Sequence, residues 1–145
     1  MQSASETGWG AAEAERAFGR AVRARRWAAL SCRVLRRCTG RSRLAVFDAH
    51  QVRACPACRG VRDIPVDAIA GSLEPHRAAH FDGGFRPSPP ARTRWLRVWL
   101  AEQRGAVLPP ISVAPVGAAY ALLDGHHRVS VARARGALTI TAIVR

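Results

Sequence analysis

The strongest constraint in this sequence is an apolar segment that runs straight into a glycine and a cation-rich stretch. The segment reads Tyr120-Ala121-Leu122-Leu123-Asp124-Gly125-His126-His127-Arg128. A short apolar run that ends at a glycine and is followed by a helical pattern predicts a strand turning directly into a helix, here over residues 126–135. This succession of elements is typical of an α/β domain.

The start of this predicted helix is a candidate phosphate site. The first amides of a helix have no intrahelical partner and carry the positive end of its dipole, and Gly125 allows a ligand to approach the backbone. His126, His127 and Arg128 are unfavourable for the helix itself at this pole, but they suit a bound phosphate. Asp124 could hold a metal ion or act as a base. The alternative is that Asp124 only caps the helix and that the three following side chains are solvated.

The rest of residues 61–145 continues the alternation of strands and helices. Strands are predicted over residues 64–66, 111–116, 119–123 and 138–144, with residues 71–90 rich in loops. A helix is predicted over residues 91–103, where Trp95 and Trp99 are four apart and belong to the core rather than to a base-stacking surface. The arginines of this helix are predicted on its solvent face: Arg92, Arg94, Arg97 and Arg104.

Residues 1–60 form a separate N-terminal extension in this interpretation. A basic helix is predicted from residue 11 to about residue 37, ending at Thr39-Gly40. One apolar row contains Phe18 and Val22, and a second contains Trp27, Leu30 and Val34. The helix either docks on residues 61–145 through its Phe and Trp rows or lies on nucleic acid or an anionic membrane. Residues 44–47 are a short strand or an extended docking segment.

The charge of the chain is ambiguous as a functional signal. The formal net charge is +13, and all 23 basic residues are arginine. This bias is typical of a GC-rich bacterial genome, so the charge favours an anionic ligand only weakly. With 48% hydrophobic residues the composition excludes a disordered chain, and no apolar run reaches the length of a membrane span. We therefore expect a soluble cytoplasmic protein.

The four cysteines all precede residue 60 and leave several interpretations open: Cys32, Cys38, Cys55 and Cys58. In a cytoplasmic protein we expect reduced thiols, core fillers or a metal site rather than a disulfide scaffold. The Cys55–Cys58 spacing resembles a zinc knuckle, but Cys32 and Cys38 would face different sides of the predicted helix. We therefore do not expect zinc.

Residues 64–144 resemble the ParB/sulfiredoxin superfamily through an ordered set of short matches. Residues 64–69 are similar to the opening strand segment of ParB N-terminal domains, and Arg77 followed by Phe81-Asp82 is similar to their proline-arginine and phenylalanine-aspartate segment, with one extra residue between. Residues 107–113 are similar to the segment that leads into their central strand, and residues 117–123 are similar to their tyrosine-containing strand. Gly125-His126-His127-Arg128 stands where ParB has Gly-Glu-Arg-Arg and sulfiredoxin has Gly-Cys-His-Arg. The resemblance implies a small mixed-sheet domain of this type, preceded by the basic helix.

The resemblance also implies a function, because members of this superfamily bind nucleotide phosphates at this turn. It implies CTP, ATP or ADP with Mg²⁺ as ligand, held by Gly125, His126, His127, Arg128 and, less directly, Arg77. A stand-alone nucleotide-binding module, regulatory or DNA-associated, is the first expectation.

Two other functions stay open. The first is a phosphotransferase or nucleotide hydrolase similar to the free serine kinases, with Asp124 or Glu74 as base or metal ligand. The second is a nucleic-acid-binding protein that uses the basic helix. Sulfiredoxin activity is not expected, because His126 replaces the catalytic cysteine.

Overall fold

The computed structural model describes residues 3–35 and 43–145. It is a mixed α/β structure in which four α-helices accompany a six-stranded sheet. The helices are α1 (Ser3–Leu35), α2 (Pro75–Ala78), α3 (Arg92–Gln103) and α4 (His126–Ala134). The strands are β1 (Ala45–Val46), β2 (Gly60–Pro65), β3 (Ile69–Ser72), β4 (Ile111–Val116), β5 (Ala119–Asp124) and β6 (Thr139–Val144). The predicted α/β class is confirmed.

The sheet has the order β1-β3-β5-β4-β6-β2, with both parallel and antiparallel neighbours. β4 and β5 form an antiparallel hairpin in which Val116 pairs with Ala119. β3 runs parallel to β5, and Ser72 pairs with Leu122. Because parallel neighbours end at the same edge of a sheet, the segments that leave β3 and β5 emerge side by side. This edge carries the candidate site.

The main core lies between the sheet and α4. It is built from aliphatic and aromatic side chains of the strands together with Phe81, Phe85, Val129 and Ala132. β4 is a mostly apolar run in which Ile111 and the three residues 113–115 are buried, and such a run could be predicted as a strand from its sequence. Pro65 ends the edge strand β2, where its missing N–H is tolerated.

A second apolar cluster attaches α1 to α3 and α4. Phe18 meets Trp95 edge to face with ring centroids 5.4 Å apart, and Trp95 stacks on Trp99 at 5.3 Å. The indole Nε1 of Trp95 donates a hydrogen bond to Ser130 Oγ at 2.9 Å, which fixes α3 on α4. The prediction that both tryptophans belong to the core is confirmed.

The N-terminal helix departs from its prediction in two ways. It begins at Ser3 rather than near residue 11, and only its Phe18 row is packed, whereas Trp27, Leu30 and Val34 are exposed. The Phe18 row is the packed one because it lies against the tryptophans of α3. The predicted helix end at Thr39-Gly40 lies outside the described residues, as does Cys38.

The segment predicted as rich in loops contains two regular elements. β3 continues to Ser72 and α2 occupies four residues after Glu74. β3 escapes detection because it is only four residues long and carries Gly71, whose small size is required by its neighbour. A Cβ at Gly71 would lie 2.4 Å from the carbonyl oxygen of Ala45 in β1.

The expectation of free thiols is wrong for Cys55 and Cys58. These two residues form a disulfide across the short 3₁₀ helix Pro56–Cys58, which brings their Cα atoms to 5.2 Å. Cys32 is also disulfide-bonded. A tight turn between two cysteines three residues apart is sufficient to create this geometry, and sequence spacing alone does not separate it from a zinc knuckle.

Candidate functional site

Gly125 forms the turn that joins β5 to α4. Its φ is +104°, a left-handed conformation that favours glycine, and the helix begins at the next residue. A Cβ at this position would lie 2.5 Å from Cγ2 of Ile111 in β4. The glycine is therefore required twice, for its backbone angle and for the close approach to β4. The predicted strand–glycine–helix turn is confirmed.

Asp124 lies at the centre of a small ion-pair network beside this turn. Its carboxylate accepts hydrogen bonds from the guanidinium groups of Arg77 and Arg128, and Arg128 Nη2 is 3.1 Å from Oδ2. Arg128 also donates to the carbonyl oxygen of Pro109. Arg77 reaches the network from α2, which follows β3, whereas Arg128 comes from the first turn of α4. The parallel β3–β5 pair thus brings together two arginines that are 51 residues apart in sequence.

This network keeps Asp124 ionised. Partial burial alone would raise the pKa of the carboxyl group, but the hydrogen bond from Arg77 and the charges of Arg128 and Arg77 outweigh burial. The pKa therefore lies below its ordinary value. A carboxylate held in this way is a weak base, and it is better suited to orienting the two guanidinium groups.

A cleft of about 840 Å³ opens above the network. Its floor is the Gly125 turn, and α3 adds two further cations to its wall, Arg94 and Arg97. Four arginines and one carboxylate line this cleft, so its charge without the histidines is +3. This excess of positive charge at a helix N-terminus favours an anion with more than one charge.

Arg94 and Arg97 are the site residues that sequence reasoning missed. They were predicted on the solvent face of the helix, and they are indeed exposed. Their three-residue spacing puts them on one side of α3, away from the buried Trp95 and Trp99. That spacing was a visible signal, but only the packing of α3 on α4 directs this side toward the cleft.

His126 occupies the first position of α4 and is almost completely buried. Its exposed fraction is 2%, its ring stacks on Phe81 with centroids 6.2 Å apart, and Nε2 lies 2.7 Å from Ser72 Oγ. Burial, with smaller contributions from Arg77 and His127, lowers the pKa of His126 to about 4 despite the opposing charge of Asp124. At neutral pH this ring is uncharged, so it connects β3 to α4 rather than adding a cation.

The Nδ1 atom of His126 is buried without a hydrogen-bond partner in the described part of the chain. Buried polar atoms are nearly always paired, so an unpaired one at a site needs an explanation. His126 is one of the residues that line the cleft. The orphaned nitrogen is consistent with a polar group that enters the cleft from solution.

His127 faces the cleft from the next position of α4. It meets Phe81 edge to face at 5.2 Å. Burial, followed by the charges of Arg94, His80 and Arg77, lowers the pKa of His127 to about 4. The ring is neutral at pH 7 and can donate a hydrogen bond to a ligand. An anion in the cleft would offset the arginine charges and raise this pKa.

Glu74 is the predicted site residue that the structure does not bring to the cleft. It is exposed at the start of α2, and the cleft is lined by its neighbours His76 and Arg77 instead. Its backbone N–H donates to Ser72 Oγ at 2.8 Å, so its position serves the turn after β3. Asp124 is thus the one carboxylate among the described residues that line this cleft.

Comparisons with protein-family models, with curated proteins and with solved structures find no match to this chain. Within residues 3–35 and 43–145, no cluster of three or more His, Cys, Asp or Glu side chains is arranged to hold a metal ion. None of the described helices combines the length and apolar character needed to cross a bilayer.

Proposed function

We propose that this protein is a nucleotide-binding module that holds the phosphates of a nucleoside di- or triphosphate at the start of α4. The observation that carries the proposal is the convergence of four arginines on the cleft above the Gly125 turn. Arginine and helix N-terminal amides are the groups that most often bind phosphate oxygens in proteins. A single carboxylate amid four guanidinium groups leaves an unbalanced positive charge that a polyphosphate would neutralise.

The dimensions of the cleft agree with a ligand larger than inorganic phosphate. A volume of about 840 Å³ lies within the range of small-molecule sites. Val98, Leu108 and Pro109 line part of the wall and offer an apolar surface to a base or sugar. The resemblance of residues 64–144 to the ParB/sulfiredoxin superfamily supports the same ligand class.

In the proposed complex, Mg²⁺ would be bound together with the nucleotide. Mg²⁺ that accompanies a nucleotide is held by phosphate oxygens, water and one or two carboxylates. Asp124 would be the protein carboxylate for that role. It would have to exchange part of its contact with Arg77 for the metal.

The direct test is a calorimetric titration of ATP, ADP, CTP and GTP, each with Mg²⁺, into the wild type and into the double variant Arg94→Gln/Arg97→Gln. Both arginines are exposed and support no other part of the fold, so the variant should remain folded. We expect saturable binding of at least one nucleotide, weakened at least tenfold in the double variant. Arg59→Gln/Arg104→Gln, which removes the same charge at exposed positions that do not line the cleft, is the matched control, and it should bind like the wild type. Absence of saturable binding for all four nucleotides would refute the proposal.

A second experiment separates a binding module from a phosphotransferase or hydrolase. Asp124 is the carboxylate that could take part in transfer chemistry, although its lowered pKa makes it a poor base. In a module, nucleotide is bound without turnover. If the wild type instead converts nucleotide and Asp124→Asn abolishes the conversion while retaining affinity, the enzyme interpretation replaces the module.

A further inference from the structure

The outward face of α1 carries large apolar side chains that no described part of the protein covers. Trp27 is 69% exposed, Leu30 51% and Val34 79%. Their spacing of three and four residues places them side by side on one face of the helix. Isolated exposed apolar residues are ordinary, but three adjacent ones form a continuous stripe.

This stripe lies opposite the face that attaches α1 to the protein. Nine residues separate Phe18 from Trp27, which is two and a half helical turns, so the two side chains point in opposite directions. Trp9 is 74% exposed and stands five turns before Trp27, on the same side and about 27 Å away along the axis. The docked position of α1 therefore fixes both tryptophans outward.

Exposed arginines surround the apolar stripe. Those between the two tryptophans and beside the stripe are Arg16, Arg20, Arg23, Arg26 and Arg33. None of these five forms an ion pair with any residue that the structure describes. The face thus combines unneutralised positive charge with apolar and aromatic side chains.

We propose that this outward face of α1, defined by Trp9, Trp27, Leu30, Val34 and the five arginines, lies on an anionic lipid surface. Arginines in the headgroup layer pair with lipid phosphates, while tryptophan rings and aliphatic chains enter the boundary of the acyl region. The observations favour this partner over nucleic acid, which would use the arginines but offers Leu30 and Val34 no apolar contact. The contact is peripheral and leaves the sheet and the cleft in solution.

Vesicle binding of the full chain tests the proposal. The probes are phosphatidylcholine vesicles and vesicles in which one third of the lipid is phosphatidylglycerol. We expect co-sedimentation with the anionic vesicles only, weakened by salt because the arginine contacts are screened. Tryptophan emission should shift to the blue on binding, since Trp95 and Trp99 are already buried and the signal comes from Trp9 and Trp27.

Two variants with matched controls locate the contact. Trp27→Ser/Leu30→Ser should lower the partition coefficient at least tenfold, whereas Val107→Ser/Leu138→Ser, which changes even more exposed apolar residues elsewhere, should not. Arg23→Gln/Arg26→Gln should lower the partition coefficient about twenty-five-fold, since each arginine near an anionic surface contributes about fivefold. The control Arg59→Gln/Arg104→Gln removes the same charge elsewhere and should leave binding nearly intact.

Three results would overturn the proposal. The first is no preference for anionic over neutral vesicles. The second is that the protein binds an oligonucleotide but not vesicles, and that Trp27→Ser/Leu30→Ser abolishes this binding. That result would assign the face to nucleic acid. The third is that the protein forms a concentration-dependent dimer and does not bind vesicles, and that the same variant is monomeric. That result would assign the face to a second copy of the chain.

Discussion

Acid should destabilise this protein through the buried histidine of the site. His126 has a pKa of about 4 in the folded protein, against 6.5 for a solvated histidine. Between these two values the unfolded chain binds a proton that the folded chain does not, so the free energy of unfolding falls as the pH falls. From pH 7 to pH 5 the loss from His126 alone is about 2 kcal/mol.

The variant that isolates this effect is His126→Gln. A glutamine amide can reach Ser72 in place of the imidazole Nε2, which keeps the contact between α4 and β3 without a titrating group. The variant is expected to be less stable than the wild type at pH 7, because a smaller side chain leaves space beside Phe81. Between pH 7 and pH 5, however, the free energy of unfolding of the variant should fall by about 2 kcal/mol less than that of the wild type.

The assay is urea unfolding followed by circular dichroism at pH 7, 6 and 5. His50→Gln, at an exposed histidine that does not line the cleft, is the control for the same substitution away from the site. The pKa of His127 is lowered as well, but its ring is only partly buried and solvent screens it, so it adds a smaller acid-dependent loss that the variant should retain. Parallel pH dependences for the wild type and His126→Gln would refute the reasoning, because the buried imidazole would then have no role in acid unfolding.

Three further substitutions test how the site is built, each by urea unfolding. Gly125→Ala should destabilise the protein by more than about 2 kcal/mol, because its Cβ collides with Ile111 and φ is positive; stability equal to the wild type would contradict the described turn. Ser130→Ala should cost about 1–3 kcal/mol, because the buried Nε1 of Trp95 loses its acceptor; an unchanged midpoint would show that this bond is dispensable. Asp82→Ala should cost about 2 kcal/mol, because the buried carboxylate accepts two backbone N–H groups in the following turn; no loss would mean that the turn closes without it.

The parts of the fold that could be predicted are those with a local signal. α3 has its two tryptophans four residues apart and β4 is a short apolar run, and the predicted bounds of each lie within one residue of the observed ones. The turn at Gly125 could be predicted because a glycine between an apolar strand and a helical segment has few alternatives. In each case the information lies within about a dozen consecutive residues.

The parts that could not be predicted depend on residues far apart in the chain. For residues 44–47 the sequence left a short strand and an extended segment open, and β1 is a strand because it pairs in parallel with β3, 26 positions later. α1 has two apolar rows, and only the Phe18 row packs against the tryptophans of α3. Arg94 and Arg97 were recognisable as exposed arginines, but their position opposite the Gly125 turn follows from tertiary packing. The periodic pattern of a single segment does not determine which other segment it will pack against.

The arginine-rich composition of the sequence says how many cations there are but not where they lie. A compositional bias alone would place arginines at any exposed position, whereas the cleft contains Arg77 from α2, Arg128 from α4, and two more from α3. The Trp95–Ser130 hydrogen bond fixes α3 against α4, so the geometry of the cleft depends on a buried contact that cannot itself touch a ligand. This placement requires three separate segments of the chain to meet at one cleft, and an arginine-rich composition does not by itself produce such an arrangement. The arrangement of the arginines is therefore stronger evidence for an anionic ligand than the net charge of +13.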